Sequence, residues 1–214
     1  MKKLLTGFTL AEVLITLGII GIVAALTMPA LIAKYQEQVL RTQFQKAWSI
    51  YSQNLQKTAL IDFSGDVNCA YNAAGSAATN SGCKEFFKAF VANMNVIKTC
   101  AGNALTGGCV PRYEAYMPDD NGCGGYSENG INNRNTAYVM KDGSIMIPYI
   151  YGNVDMPLFL FDVNGFKGPN KSGSDVFSIA IKEMSPGAVA FNPDITCCWY
   201  MGTALFKTLD DIYK

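Results

Sequence analysis

From Val13 to Ala33 the chain carries no charged residue, and one acid, Glu12, stands at the start of that run. At about 1.5 Å of rise per residue, a helix over these positions is roughly 32 Å long, enough to cross a hydrocarbon core of about 30 Å. A short leader precedes it, with Lys2 and Lys3 and no acid. The positive-inside rule holds that end in the cytoplasm and sends the rest of the chain outward. An ordinary secretory signal has a shorter apolar region, with a small-residue cleavage site after it. Here the small residue, Gly7, comes first. A cut there removes the basic leader and keeps the membrane helix. Glu12 is the anomaly, because an acid in a membrane segment is expensive and marks a functional site whose partner must be named.

Gly7-Phe8-Thr9-Leu10-Ala11-Glu12, followed by the apolar helix and Pro29, resembles the class III signal of type IV pilins and type II secretion pseudopilins. The resemblance covers the N-terminal helix and not the remainder of the chain. It implies that a prepilin peptidase cuts between Gly7 and Phe8 on the cytoplasmic side and methylates the new N-terminus at Phe8. It also implies assembly with homologous subunits through their N-terminal helices, aided by an assembly platform in the membrane. The implied location is the cytoplasmic membrane, single-pass, with a cytoplasmic N-terminus and an extracytoplasmic head. After assembly the chain would stand in a periplasmic or cell-surface filament.

The chemistry of Glu12 fits that resemblance. Once cut, Phe8 carries a cationic amine one helical turn from Glu12. In a stack of parallel helices, Glu12 of one subunit meets the Phe8 amine of the next. Pairing neutralises two charges that are costly to leave alone in hydrocarbon, and it fixes the axial stagger. The competing reading is a carboxylate snorkelling to the headgroups. Gly18, Gly21 and Pro29 interrupt the helix pattern. Gly costs about 1 kcal/mol in a helix interior and Pro about 3. Pro29 also removes a backbone donor, so these residues mark a kink or, as in pilin filaments, local melting. Small residues equally permit close helix packing.

The helix pattern continues past the membrane. Leu40, Phe44, Trp48, Tyr51 and Leu55 recur at spacings of three and four, with Ala47 and Ala59 on the same side. Such a stripe turns toward a globular head. The organisation expected is a leader over residues 1–7, a spine helix over 8–60 with its membrane half at about 13–33, and a head over 61–214. The fold class expected is α+β: a long N-terminal helix with a head built on an antiparallel sheet, the architecture the resemblance also implies.

All seven cysteines, Cys69, Cys83, Cys100, Cys109, Cys123, Cys197 and Cys198, fall in the head. An outward compartment that supports oxidation makes them disulfide staples. Plausible pairs are Cys69 with Cys83, Cys100 with Cys109, and Cys123 with one of the C-terminal two, leaving one thiol over. A zinc site is the rival, but the chain has no histidine and no CxxC pair. Lys84 to Lys98 reads as a second amphipathic helix, and Cys100 to Asn135 as a long stapled loop. Thr136–Lys141 and Ser144–Tyr151 flank Asp142-Gly143, a strong hairpin signal. Pro157–Val163 and Val176–Lys182 supply two more strands, giving about four.

One head motif runs from Asp162-Val163-Asn164-Gly165 through Asn170 to Asp175. Asp162, Asn164, Asn170 and Asp175 offer oxygens on a turn-rich loop, as a calcium site needs. The spacing departs from an EF-hand, and Lys167 lies inside the loop. The alternative is a structural connection in which Asp and Asn cap turns and the glycines take positive φ. Calcium is the one cofactor with any support.

With no histidine, every Ser-His, Cys-His and His-metal arrangement is absent, so an enzyme is not expected. Net charge is zero, which implies no nucleic-acid partner. The expectation is a structural subunit, pilin or pseudopilin, of a type IV pilus-like filament or a type II secretion pseudopilus. The alternative is a single-pass membrane-anchored extracytoplasmic protein that binds a ligand or adheres without polymerising.

Overall fold

The computed structural model describes residues 7, 9–62, 81–113, 132, 136–149, 158–171, 173–185, 188–191 and 212–213. Among the cysteines, Cys69, Cys123, Cys197 and Cys198 lie outside the described residues, as does the side chain of Cys83. Phe8 is also outside them. The chain divides into two units, Met1–Val39 and Leu40–Lys214.

Helix α1 spans Leu10–Lys57 and passes into a π-helical turn over Thr58–Asp62. Gly18, Gly21 and Pro29 all lie inside its continuous helical span. In the second unit the expected stripe is realised. Leu40, Phe44, Ala47, Tyr51, Leu55 and Ala59 are buried, and Trp48 packs partly buried beside them. The spacing of three and four places them on one side of a 3.6-residue turn, which is why they share a core.

Helix α2 covers Ser81–Ala92 and strand β1 follows at once, Val96–Ala101. The expected helix over Lys84 to Lys98 is therefore corrected: it ends at Ala92, and Ile97 is exposed on a strand. The physical reason is local. Asn93 spends its side chain outside the helix, with Nδ2 donating to Thr58 Oγ1 at 3.0 Å and Oδ1 accepting from Lys57 Nζ at 2.8 Å. The N–H of Met94 donates to the Val91 carbonyl at 3.0 Å, tightening the last turn. The β-branched Val96, Ile97 and Thr99 then favour extended backbone.

The sheet is an antiparallel meander, β1 to β6 in chain order. After β1 come β2 Thr136–Met140, β3 Ile145–Tyr149, β4 Leu158–Asp162, β5 Val176–Ser185 and β6 Ala188–Phe191. Among the described residues six strands stand where about four were expected, because β1 was hidden in the helical pattern and β6 adds an edge. Strand β5 is long enough to serve two partners: Val176–Ala180 pairs with β4, and Ile181–Ser185 with β6. The Asp142-Gly143 turn closes β2 onto β3, with Tyr138 opposite Met146 and Gly143 at φ 90°. Only glycine takes that φ without strain.

Alternation along the strands gives the sheet two apolar faces. Met140, Met146, Phe159, Phe161, Phe177 and Ile179 join the α1 stripe, Phe86, Phe90 and Ile212 in the larger core. Rings meet there: Phe44 lies edge-on to Phe177 at 4.4 Å, and Tyr51 stands 4.1 Å from Phe161. Ala137, Ile145, Ile147, Leu160 and Val176 point the other way, under Ala104, Cys109, Val110 and Tyr113. Part of the expected loop thus has a definite task, since residues 104–113 cover the second face.

Candidate functional site

Helix α1 begins with a reciprocal cap. The Thr9 N–H and the Thr9 hydroxyl each donate to Glu12 Oε2 at 2.8 Å. In return the Glu12 N–H donates to Thr9 Oγ1 at 3.2 Å, and the Thr9 carbonyl accepts from Val13. This is a capping box: the threonine at the N-cap and the glutamate three residues on satisfy backbone donors that the helix itself leaves unpaired. The pattern Thr-x-x-Glu is readable in the sequence, and it is the signal that the charge argument alone passes over.

Beyond that cap the helix surface is apolar. Leu14, Ile15, Leu17, Ile19, Ile20 and Ile22 are each more than half exposed. α1 is long and apolar enough to cross a membrane by length and composition. Its hydroxyls turn back on the helix: Thr16 donates to the carbonyls of Glu12 and Val13, and Thr27 to that of Val23. Such internal pairing is what a segment in hydrocarbon requires. A Cβ at Gly18 or Gly21 would meet nothing within 4 Å, so neither glycine is required by the chain's own packing. Gly7 is exposed and equally open.

The other candidate cluster closes the β4–β5 connection. Asp162 ends β4, and Asp175 precedes β5; both are buried. Asp162 Oδ1 accepts the N–H groups of Asn164 at 3.1 Å and Gly165 at 2.6 Å, while its Oδ2 accepts the Tyr113 hydroxyl at 2.7 Å. Asp175 Oδ1 accepts the Lys171 N–H and Oδ2 the Asn170 N–H, both at 2.7 Å. Burial pushes the Asp162 carboxyl up to about 8, and the nearby Asp175 charge adds to this, against the lowering effect of Tyr113 and the loop N–H groups. Burial also raises Asp175.

These four residues do share one loop, and the carboxylate oxygens of Asp162 and Asp175 are hydrogen-bonded within it. Calcium takes six to eight oxygen ligands. Here each carboxylate oxygen already faces a donor hydrogen, and only Asn164 Oδ1 and Asn170 Oδ1 are buried without a hydrogen-bond partner. Among the described residues no group of three or more His, Cys, Asp or Glu is placed to hold a metal ion. The two carboxylates cap the turn through backbone N–H groups, and the Asn164 and Asn170 oxygens beside them are left to face into the loop. Tyr113, which sequence reasoning passed over, ties that turn to the cover of the second sheet face.

Cys100 and Cys109, expected as partners, are joined by a disulfide. The bond closes the loop that carries Ala104 over the sheet, with Val110 just after it. Lys98 Nζ reinforces it by donating to the carbonyls of Gly107 at 2.7 Å and Gly108 at 3.0 Å. The other proposed pairings involve residues outside the described set. A further tie without a sequence signal lies at the chain's end: Arg41 and Gln45 both donate to the Ile212 carbonyl, at 2.9 and 3.1 Å, and the Ile212 side chain is buried.

Over 85 residues the chain is 40% identical to the fimbrial protein EcpC of Eikenella corrodens. The match covers 38% of this chain and 52% of the relative, so the chain spans about half the length of the curated relative it matches. No family model matches the sequence. No solved structure matches it either.

Proposed function

We propose that this chain is a structural subunit of a filament, a type IV pilus or a type II secretion pseudopilus, and not an enzyme. The observation that carries this reading is an exposed apolar helix that opens on a capped glutamate, in a chain similar to a fimbrial protein. An anchor helix would gain the cap equally from a neutral glutamine, so capping alone does not explain a charged acid beside a membrane segment. In this reading prepilin peptidase cuts between Gly7 and Phe8 and methylates Phe8. The head then lies outside the cytoplasmic membrane until the subunit joins its neighbours through the membrane's assembly platform.

The capping box gives Glu12 a place to wait. Thr9 supplies hydrogen bonds to the carboxylate in the single chain, and the Phe8 amine of a neighbour supplies a charge when subunits stack. Two experiments test the reading. Intact-mass measurement with and without the peptidase should differ by the mass of residues Met1 to Gly7 less that of the added methyl; an unchanged mass refutes processing. Glu12→Leu should leave processing intact and remove the chain from sheared filaments. Normal incorporation of that variant would favour the non-polymerising, membrane-anchored binding protein instead.

A further inference from the structure

The two bonds from Thr9 to Glu12 converge on one oxygen. Both the Thr9 N–H and the Thr9 hydroxyl reach Oε2, at 2.8 Å each. Among the described residues, no donor reaches Oε1. The next hydroxyl along the helix does not compete, because Thr16 Oγ1 donates to the carbonyls of Glu12 and Val13. Leu10, Ala11, Val13, Leu14 and Ile15 carry no side-chain donor. Between residues 9 and 16, then, Thr9 is the side chain that holds the carboxylate.

This asymmetry has a chemical consequence. An ionised carboxylate accepts at about four lone-pair sites, shared between its two oxygens. A cation that arrives at Oε1 therefore does not have to displace Thr9 from Oε2. The cap also survives the cut at Gly7, because the Thr9 N–H belongs to the Phe8–Thr9 peptide bond, which the cut leaves whole. Held at Oε2, the Glu12 side chain gives up rotamer freedom before a neighbour arrives, and a group ordered in advance loses less on binding. Without the hydroxyl, the side chain is freer to turn toward the headgroups.

We propose that Thr9 is the positioning residue of the assembly contact: its hydroxyl keeps Oε2 while Oε1 takes the Phe8 ammonium of the next copy, so the capping box stays closed in the filament. The inference rests on the filament reading above and names the group that acts through Glu12.

A cap and a positioning group make different demands at residue 9. Threonine and glycine rank close together at the N-cap, with serine above them and valine far below. A capping role alone therefore tolerates glycine, whereas a hydroxyl role tolerates only serine.

The full chain is expressed with Thr9→Ser, Thr9→Gly or Thr9→Val. The cut at Gly7 is read by intact mass, assembly by the fraction of processed chain in sheared filaments, and the contact by the Glu12–Phe8 amide that a hydrophobic carbodiimide forms between copies. The cut should be unchanged in Thr9→Gly; its loss there overturns the proposal, because residue 9 would then act before assembly. Thr9→Ser should match the unsubstituted chain within about twofold. Thr9→Gly and Thr9→Val should lose about tenfold in filament fraction or, where filaments still form, in amide yield per subunit, the scale of one hydrogen bond to a charged group. Full recovery with Thr9→Gly, or equal losses in Thr9→Ser and Thr9→Gly, overturns the proposal. The two readings fail separately. Unsubstituted filaments that give no Glu12–Phe8 amide remove the pairing and the role of Thr9 with it, whereas an amide as abundant in Thr9→Gly as in the unsubstituted chain removes only Thr9.

Discussion

Asp162→Asn should flatten the pH dependence of the head's stability. The Asp162 carboxyl has an ordinary value of 3.8 and is pushed up to about 8, first by burial and then by the neighbouring Asp175. The fold thus prefers its protonated form. The associated stability is complete below about pH 4, declines as pH rises, and is gone once pH passes the folded value. The slope is at most about 1.4 kcal/mol per pH unit for one group. From pH 5 to pH 7 the unsubstituted chain should lose about 2.7 kcal/mol on this account. For a domain of this size that is roughly 5–10 °C in Tm, at about 2–4 °C per kcal/mol. Asparagine keeps an oxygen for the Asn164 and Gly165 N–H groups and offers an amide donor to the Tyr113 oxygen. Near-ultraviolet circular dichroism melts of the full chain in detergent at the two pH values measure the effect. The variant should lose much less than the unsubstituted chain. Parallel losses in the two proteins would refute the reasoning, because the charge would then not be what the fold disfavours.

Three further outcomes are expected. Gly165→Ala should destabilise the head by about 2–4 kcal/mol, read as a shift in denaturant midpoint. Gly165 sits at φ 63°, and an added Cβ would run into the Gly143 carbonyl oxygen. Replacing Cys100 and Cys109 together by serine should cost about 2.5 kcal/mol, the loop-closure value for a sequence separation of 9; an unchanged midpoint would mean that the loop is held by Lys98 and the apolar cover alone. A calcium chelator should leave the melting curve unchanged if the carboxylates of Asp162 and Asp175 serve only their own loop, and a fall in Tm would support the calcium reading.

What the sequence made legible follows from how each signal is encoded. The α1 stripe repeats over five turns, so one misplaced residue does not hide it, and Leu40 to Ala59 came out buried. Asp142-Gly143 is a local turn code and fixed the β2–β3 hairpin. Helix α2 ended early because Phe90, Met94 and Ile97 match a helical period by coincidence, while Asn93 and the β-branched residues after it carry the true boundary. The partnership of Cys100 with Cys109 was a short-range guess and is realised. Tyr113 to Asp162 and Arg41 to Ile212 were not legible, because their partners lie far apart in the chain and no pattern links them. At the helix start, the charge argument found Glu12 and missed Thr9, although both belong to one capping motif.

The most direct test of the filament reading is the fate of Glu12→Leu in cells, scored as the fraction of processed chain recovered in sheared filaments. If Glu12 joins neighbouring subunits, the variant should be cut at Gly7 and held in the membrane, yet be nearly absent from the sheared fraction. Recovery equal to that of the unsubstituted chain would contradict the claim that this helix assembles through its acid.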